Sequence, residues 1–192
     1  MIQIIEGSGV FIYPLGLCSI LGIFVIFERS ISLRIENILP KSLVDKVIAG
    51  QIDDPHEKES VLSRILDFFN HRSQETDKIR AFTNLEINRM ERGLVILEII
   101  AGAAPLLGLL GTVTGLVQVF ANTSFDTGVP DQTAFIGGVA LALTTTMIGL
   151  SVAIPSLVAY NIFQRRIDTY TVQLDAMIER LHSLSLPNSS LK

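Results

Sequence analysis

Three stretches of this chain contain no charged residue, and each is long enough to cross a bilayer. They lie between Glu6 and Glu28, between Glu98 and Asp126, and between Asp131 and Arg165. A hydrocarbon core of ~30 Å needs roughly 20 helical residues at about 1.5 Å each, and every window supplies them. None shows the polar stripe at a period of about 3.6 that a helix on a water-facing core requires. The sequence therefore predicts three membrane-spanning helices. Composition points the same way: 48% of the 192 residues are hydrophobic and 18% charged, against roughly 25% charged in soluble domains.

The predicted fold is all-α, a three-span integral membrane protein whose long helices extend into a cytoplasmic helical bundle. A short outer N-terminus and a first span at about 8–27 occupy residues 1–27. A helical domain follows over 28–98, a second span over 99–122, a short outer loop over 123–132, a third span over 133–164, and a C-terminal helix and tail over 165–192. Cations flank the spans on one side only. Arg29, Arg34, Lys41 and Lys46 follow the first, Lys78, Arg80, Arg89 and Arg92 precede the second, and Arg165 and Arg166 follow the third. By the enrichment of Lys and Arg on cytoplasmic flanks, the N-terminus is expected outside and the C-terminus inside. The N-terminus MIQIIEGSG has Glu6 and no Lys or Arg, and the first span ends in FVIFERS. Both features differ from a cleaved signal peptide, so the first helix is expected to be retained.

Between the first two spans the pattern is one of helical pieces. KSLVDKVIAGQI ends at a glycine-containing turn ahead of Asp53, Asp54 and Pro55, and ESVLSRILDFFNHR places Val61, Leu62, Ile65, Leu66 and Phe69 on one face. From about Glu75 the sequence runs without a proline into the second span, which predicts one long helix. After the third span, Ile167, Tyr170, Leu174, Met177, Ile178 and Leu181 recur at helical spacing and predict packing against that helix.

Several chemistries find no residues to carry them. Cys18 is the single cysteine and reads as a buried structural thiol, and His56, His71 and His182 lack ligand spacing, so neither a metal nor another cofactor is expected. A net charge of −4 argues against a nucleic-acid partner. There is no glycine-rich phosphate loop and no nucleophile motif, so an enzyme is not expected. Asn122-Thr123-Ser124 and Asn188-Ser189-Ser190 match the glycosylation pattern, a motif too short to carry weight.

The second and third spans hold the informative residues. Lipid gives helices no hydrophobic reason to associate, so close packing depends on small residues that let backbones approach. Ala104, Gly108, Gly111 and Gly115 share one helix face, and Gly138, Ala142, Thr145, Gly149 and Ala153 repeat that spacing. Such faces serve packing within one chain or between subunits equally. Thr112, Thr114, Thr144, Thr145, Thr146 and Ser151 add hydroxyls, each able to bond a carbonyl three or four residues earlier. Three consecutive threonines point around most of a helix, so at least one should face an interior or a neighbouring subunit. Pro105 and Pro155 each remove a backbone bond and permit a bend, static or hinged. Neither span contains an ionisable residue in its central region, although such residues are the usual mark of a proton relay. If ions cross here, a partner must supply the carboxylate.

The stretches AGAAPLLGLLGTVTGLVQVF and GGVALALTTTMIGLSVAIPSLVAYN resemble the MotA/TolQ/ExbB proton channel family, nearest to its ExbB and TolQ branch. The resemblance implies a homopentamer in the bacterial inner (cytoplasmic) membrane, N-terminus periplasmic and C-terminus cytoplasmic. Its pore encloses the helices of an ExbD/TolR-like single-span partner that carries an intramembrane Asp. Ion-motive force is thereby converted into work at the cell envelope, as in energised biopolymer transport. By motif position the family's pore-lining hydroxyls correspond to Thr112 and Thr146, with Thr145 beside them, and its second-span proline to Pro105. Where many relatives read G-I-A-E-A-L, this chain has GVALAL from Gly138 to Leu143, with Leu141 in the carboxylate's place. That departure leaves proton and sodium coupling both open. The alternative function is a non-conducting membrane scaffold in which the threonines only satisfy their own backbone.

Overall fold

The computed structural model describes residues 11–50, 60–72, 75–121 and 132–185. Among the described residues the regular elements are helices: α1 (Ile12–Ser32), α2 (Ile35–Ile38), α3 (Lys41–Ala49), α4 (Val61–His71), α5 (Thr76–Glu91), α6 (Leu94–Ala121) and α7 (Gln132–Ser185). They fall into two compact units, Met1–Phe27 with Val95–Tyr160, and Glu28–Leu94 with Asn161–Lys192. The two glycosylation-like motifs and Asp53 to His56 lie outside the described residues, as does most of the 123–132 loop.

The first unit contains most of α1, nearly all of α6 and the first part of α7. Its core is small: Leu15, Ile100, Ala104 and Ala153 are buried, with Cys18, Leu107, Ile148 and Val152 packed around them. The exterior is apolar instead. Leu106, Leu143 and Met147 are each more than 60% exposed, and water would penalise that surface at about 25 cal/mol per Å². Three helical stretches, Ile12–Ser32, Thr76–Val117 and Phe135–Ser183, are long and apolar enough to cross a bilayer. Lipid rather than water is the solvent such a surface suits. The chain is a multi-pass membrane protein.

The second unit is built as a water-facing helical domain is built. Leu62, Leu174 and Leu181 are fully buried, and Ile65, Ile79, Ile167 and Ile178 nearly so, each contributing about 1.5–3 kcal/mol. The apolar face read from α4 is buried throughout: Val61, Leu62, Ile65, Leu66 and Phe69. Ser60 caps α4, its Oγ accepting from the Ser63 N–H at 3.1 Å, a contact worth about 1 kcal/mol. Gly50 closes α3 at φ 78°, and its N–H reaches the carbonyls of Lys46 and Val47; a residue with a Cβ is disfavoured there. The second half of α7 lies antiparallel to α5. Thr76 Oγ1 meets His182 Nδ1 at 2.7 Å, and Arg80 lies 4.0 Å from Glu179. The Tyr170 hydroxyl donates to the Leu33 carbonyl at 3.2 Å.

The single helix expected from Glu75 into the second span is divided. α5 ends at Glu91 and α6 begins at Leu94, with Arg92 and Gly93 as a turn between them. Arg92 keeps helical dihedrals, φ −51° and ψ −34°, so the interruption is local. Its cause is visible: Arg29 Nη1 donates to the Met90 carbonyl at 3.1 Å, and the Arg29 guanidinium lies against Gly93, where any Cβ would overlap it.

A glycine-faced helix pair with threonine hydroxyls

In the unit Met1–Phe27 with Val95–Tyr160, the small faces of α6 and α7 meet each other within one chain, antiparallel. A Cβ on Gly149 would stand 2.6 Å from the Ala104 carbonyl oxygen and 3.2 Å from Gly108 Cα. One on Gly108 would stand 3.0 Å from the Thr145 carbonyl oxygen and from Thr146 Cα. Both positions put backbone against backbone, a distance only glycine permits. Further along, Gly111 receives the Thr145 methyl, Gly115 faces Ala142 with 3.4 Å for an added Cβ, and Gly138 is covered by Val119. Ala104, Ala142 and Ala153 are buried in the same seam. α1 joins through Gly22, whose added Cβ would come 3.2 Å from Ser156 Oγ.

The hydroxyls divide between local and interhelical bonds. Thr112 donates to the Leu109 carbonyl, Thr114 to those of Leu110 and Gly111, Thr144 to that of Ala140, and Ser151 to that of Met147. These are the local bonds a helix offers any threonine or serine. Thr146 differs: its Oγ1 crosses to the Gly108 carbonyl at 3.2 Å. That bond can form because Gly108 and Gly149 let the helices approach so closely. Thr145 is 2% exposed, with its methyl in the Gly111 notch. Thr112 stands one turn beyond Gly108 and is half-buried, as is Thr146. The Thr145 oxygen lies deeper, 3.4 Å from a Cβ built on Gly111.

Pro105 and Pro155 both sit inside continuous helices. Each leaves the carbonyl four residues earlier without its helical donor. Pro155 is exposed and off the seam, while Pro105 is half-buried beside Ala104. The side chain of Leu141 lies outside the described residues. No group of three or more His, Cys, Asp or Glu that could hold a metal occurs among the described residues.

Sequence periodicity found the glycines and threonines. It did not find Gly22, Ser156 and Val119. Ser156 was one hydroxyl among many, and Gly22 and Val119 carry no signal apart from their partners.

The chain is similar to known proteins of one family. The profile of the MotA/TolQ/ExbB proton channel family matches residues 51–176. The biopolymer transport protein "ExbB-like 1" of Synechocystis sp. is 35% identical over 171 residues, covering 81% of this chain and 67% of its own. ExbB of Helicobacter pylori, a biopolymer transport protein, is 35% identical over 61% of this chain and 77% of its own. The biopolymer transport protein exbB1 of Vibrio cholerae is 25% identical over 90% of this chain and 83% of its own. On the family match, this chain with its glycine-faced helix pair belongs to the MotA/TolQ/ExbB proton channel family.

Proposed function

We propose that the chain is an ion-channel and stator subunit of a bacterial inner membrane. In this reading several copies, a pentamer, enclose an ExbD/TolR-like single-span partner whose Asp binds and releases the ion. The assembly then turns ion-motive force into work at the envelope, in energised biopolymer transport. Thr112 and Thr146 line the ion path, and Thr145 beside them holds the helices together. The N-terminus lies in the periplasm and the C-terminus in the cytoplasm, a reading supported by the one-sided cations around the spans.

The observation that carries the proposal is the pairing of half-buried hydroxyls with spans free of ionisable groups, in a member of a proton channel family. Hydroxyls lower the barrier for an ion or a water chain, but they do not hold a proton near neutral pH. The titrating group then belongs to another chain. A scaffold without conduction is the second reading, favoured by the backbone bonds of Thr112, Thr114, Thr144 and Thr146.

Thr146→Val separates the two. In proteoliposomes with an ExbD/TolR-like partner, ion flux should fall about tenfold, the effect of ~1.4 kcal/mol on a barrier, with assembly retained and Thr146→Ser restoring flux. Absence of flux in the parental protein supports the scaffold, and flux that is unchanged in the valine variant removes Thr146 from the ion path. Pro105→Ala tests the bend: if Pro105 is a hinge, flux falls while the melting temperature does not, and if both stay at the parental value it is a static kink.

A further inference from the structure

The unit Glu28–Leu94 with Asn161–Lys192 leaves two helix faces uncovered, and their charges are opposite. On α5, Lys78, Leu85 and Arg89 recur at i, i+7 and i+11, a spacing that sets them on one face. All three are exposed, Leu85 at 58%. Lys78 is paired with Glu75 at 2.7 Å, and Arg89 spends Nη1 on Glu86 beneath it. Both cations stay at the surface with further N–H donors. On the second half of α7, Asp168, Val172, Asp175 and Glu179 recur at i, i+4, i+7 and i+11. All four are exposed, Val172 at 69%. Asp168 accepts a long bond from Gln164 at 3.4 Å, Glu179 stands 4.0 Å from Arg80, and Asp175 has no ion pair among the described residues.

We infer that these two faces dock on each other between copies of this chain, α5 of one copy against α7 of the next. The inference rests on the proposed ring of copies and names the contact that closes it. Two unlike faces on one chain make a heterologous contact, which generates a ring where the rotation closes instead of a two-fold dimer. Their register fits. Within one chain α5 and the end of α7 run antiparallel, Thr76 level with His182 and Arg80 with Glu179. A rotation about an axis along these helices keeps every residue at its level, so the same register carries over to the contact between copies. It sets Leu85 opposite Val172, Arg89 opposite Asp168 and Lys78 opposite Glu179, each within two residues or about 3 Å of level. Apolar meets apolar at the centre, and cation meets carboxylate on either side. Burial of Leu85 and Val172 supplies attraction, and the charges fix orientation.

The test uses the full chain with Cys18→Ser in membranes, and reads disulfide-linked species after mild oxidation. Leu85→Cys together with Val172→Cys should give a ladder of covalent multimers ending at the closed ring. Either substitution alone should give none, because in a heterologous contact no position meets its own counterpart. Leu85→Cys with Glu179→Cys, about two turns out of register, should also give none. A second measurement keeps the cysteine-free chain and follows assembly by native mass spectrometry across a dilution series. Asp168→Lys with Asp175→Lys should weaken association roughly fivefold per contact, the upper end for exposed ion pairs, whereas Lys46→Gln on α3 should change nothing. The same spectra count the copies in the parent. Several copies without the ladder overturn this inference and leave the ring standing, and a single copy overturns both. The inference is equally overturned by dimers cross-linked in either single variant, by a disulfide confined to one chain, by a ladder from the out-of-register pair, or by association that the charge reversal leaves unmoved.

Discussion

Where α6 meets α7, contact depends on atoms that glycine lacks, whereas the unit Glu28–Leu94 with Asn161–Lys192 is held by side chains that reach and bury. At the α6–α7 seam, backbone faces backbone at Gly108 and Gly149, and an interhelical side-chain bond ends on a carbonyl, Thr146 to Gly108. In the other unit the largest fully buried groups are leucines and isoleucines, and a carboxylate, Glu86, is buried beneath two arginines that reach it from the surface. The difference follows from solvent. Water drives apolar side chains together and lipid does not, so a membrane helix pair gains stability from close dispersion contact and from polar bonds without competition. The same residue types then have opposite values in the two units.

The largest effect should come from filling the seam. In Gly149→Val the new side chain meets the Ala104 carbonyl and Gly108 Cα, and neither can rotate away as a flexible side chain could. Overpacking ordinarily costs about 1–3 kcal/mol and more where backbone must move, so this variant should lose at least the upper part of that range. Thermal melting in detergent with a tryptophan-free probe such as circular dichroism would show it. A melting temperature within a degree or two of the parent would mean that the helices are not held as closely as described.

Arg64→Ala tests the other mode and should cost about 2 kcal/mol, the magnitude for a hydrogen bond to a charged group. It is milder than a full buried-pair break because Arg89 stays on Glu86, and because Arg64 is itself 43% exposed. The loss should appear as a lower melting temperature. If Arg64→Ala costs more than Gly149→Val, the contrast between the two units fails.

The two modes were not equally legible. Spacing alone picked out Ala104, Gly108, Gly111, Gly115, Gly138, Ala142 and Gly149, because a small-residue stripe in an apolar run has few other uses. It left open whether the stripes face each other or another subunit, and only the approach of Gly108 to Thr145 and Thr146 answers that. The α4 face and the Gly50 stop were also readable, from helical period and turn chemistry. Glu86 was not. In TNLEINRMER it looks like one charge on a solvated helix, yet Ile79, Thr83, Glu86 and Met90 form the buried face of α5, and Arg64 lies 22 residues away. A hydropathy pattern counts a buried ion pair as surface. The division of α5 from α6 had only Gly93 to signal it, and the group lying on that glycine, Arg29, is distant in sequence.

The smallest expected effect sharpens the comparison most, because it uses the same residue type on the helix that Gly149 packs against. Gly102 lies on α6 two residues before Ala104, and a Cβ built there meets nothing within 4 Å. Judged by this chain alone, Gly102→Ala should stabilise by roughly 0.5–1 kcal/mol, since alanine relieves the entropy that glycine loses in a helix. That expectation holds only if the face stays open to lipid. Where another copy or a partner helix sits on Gly102, the added methyl meets backbone, as it would at Gly149. The melting temperature of Gly102→Ala, measured for the isolated subunit and again for the assembled complex, separates these cases. A gain in both leaves Gly102 facing lipid. A gain in the isolated subunit with a loss in the complex places the packing of neighbouring helices on this side of α6, opposite in effect to its seam with α7.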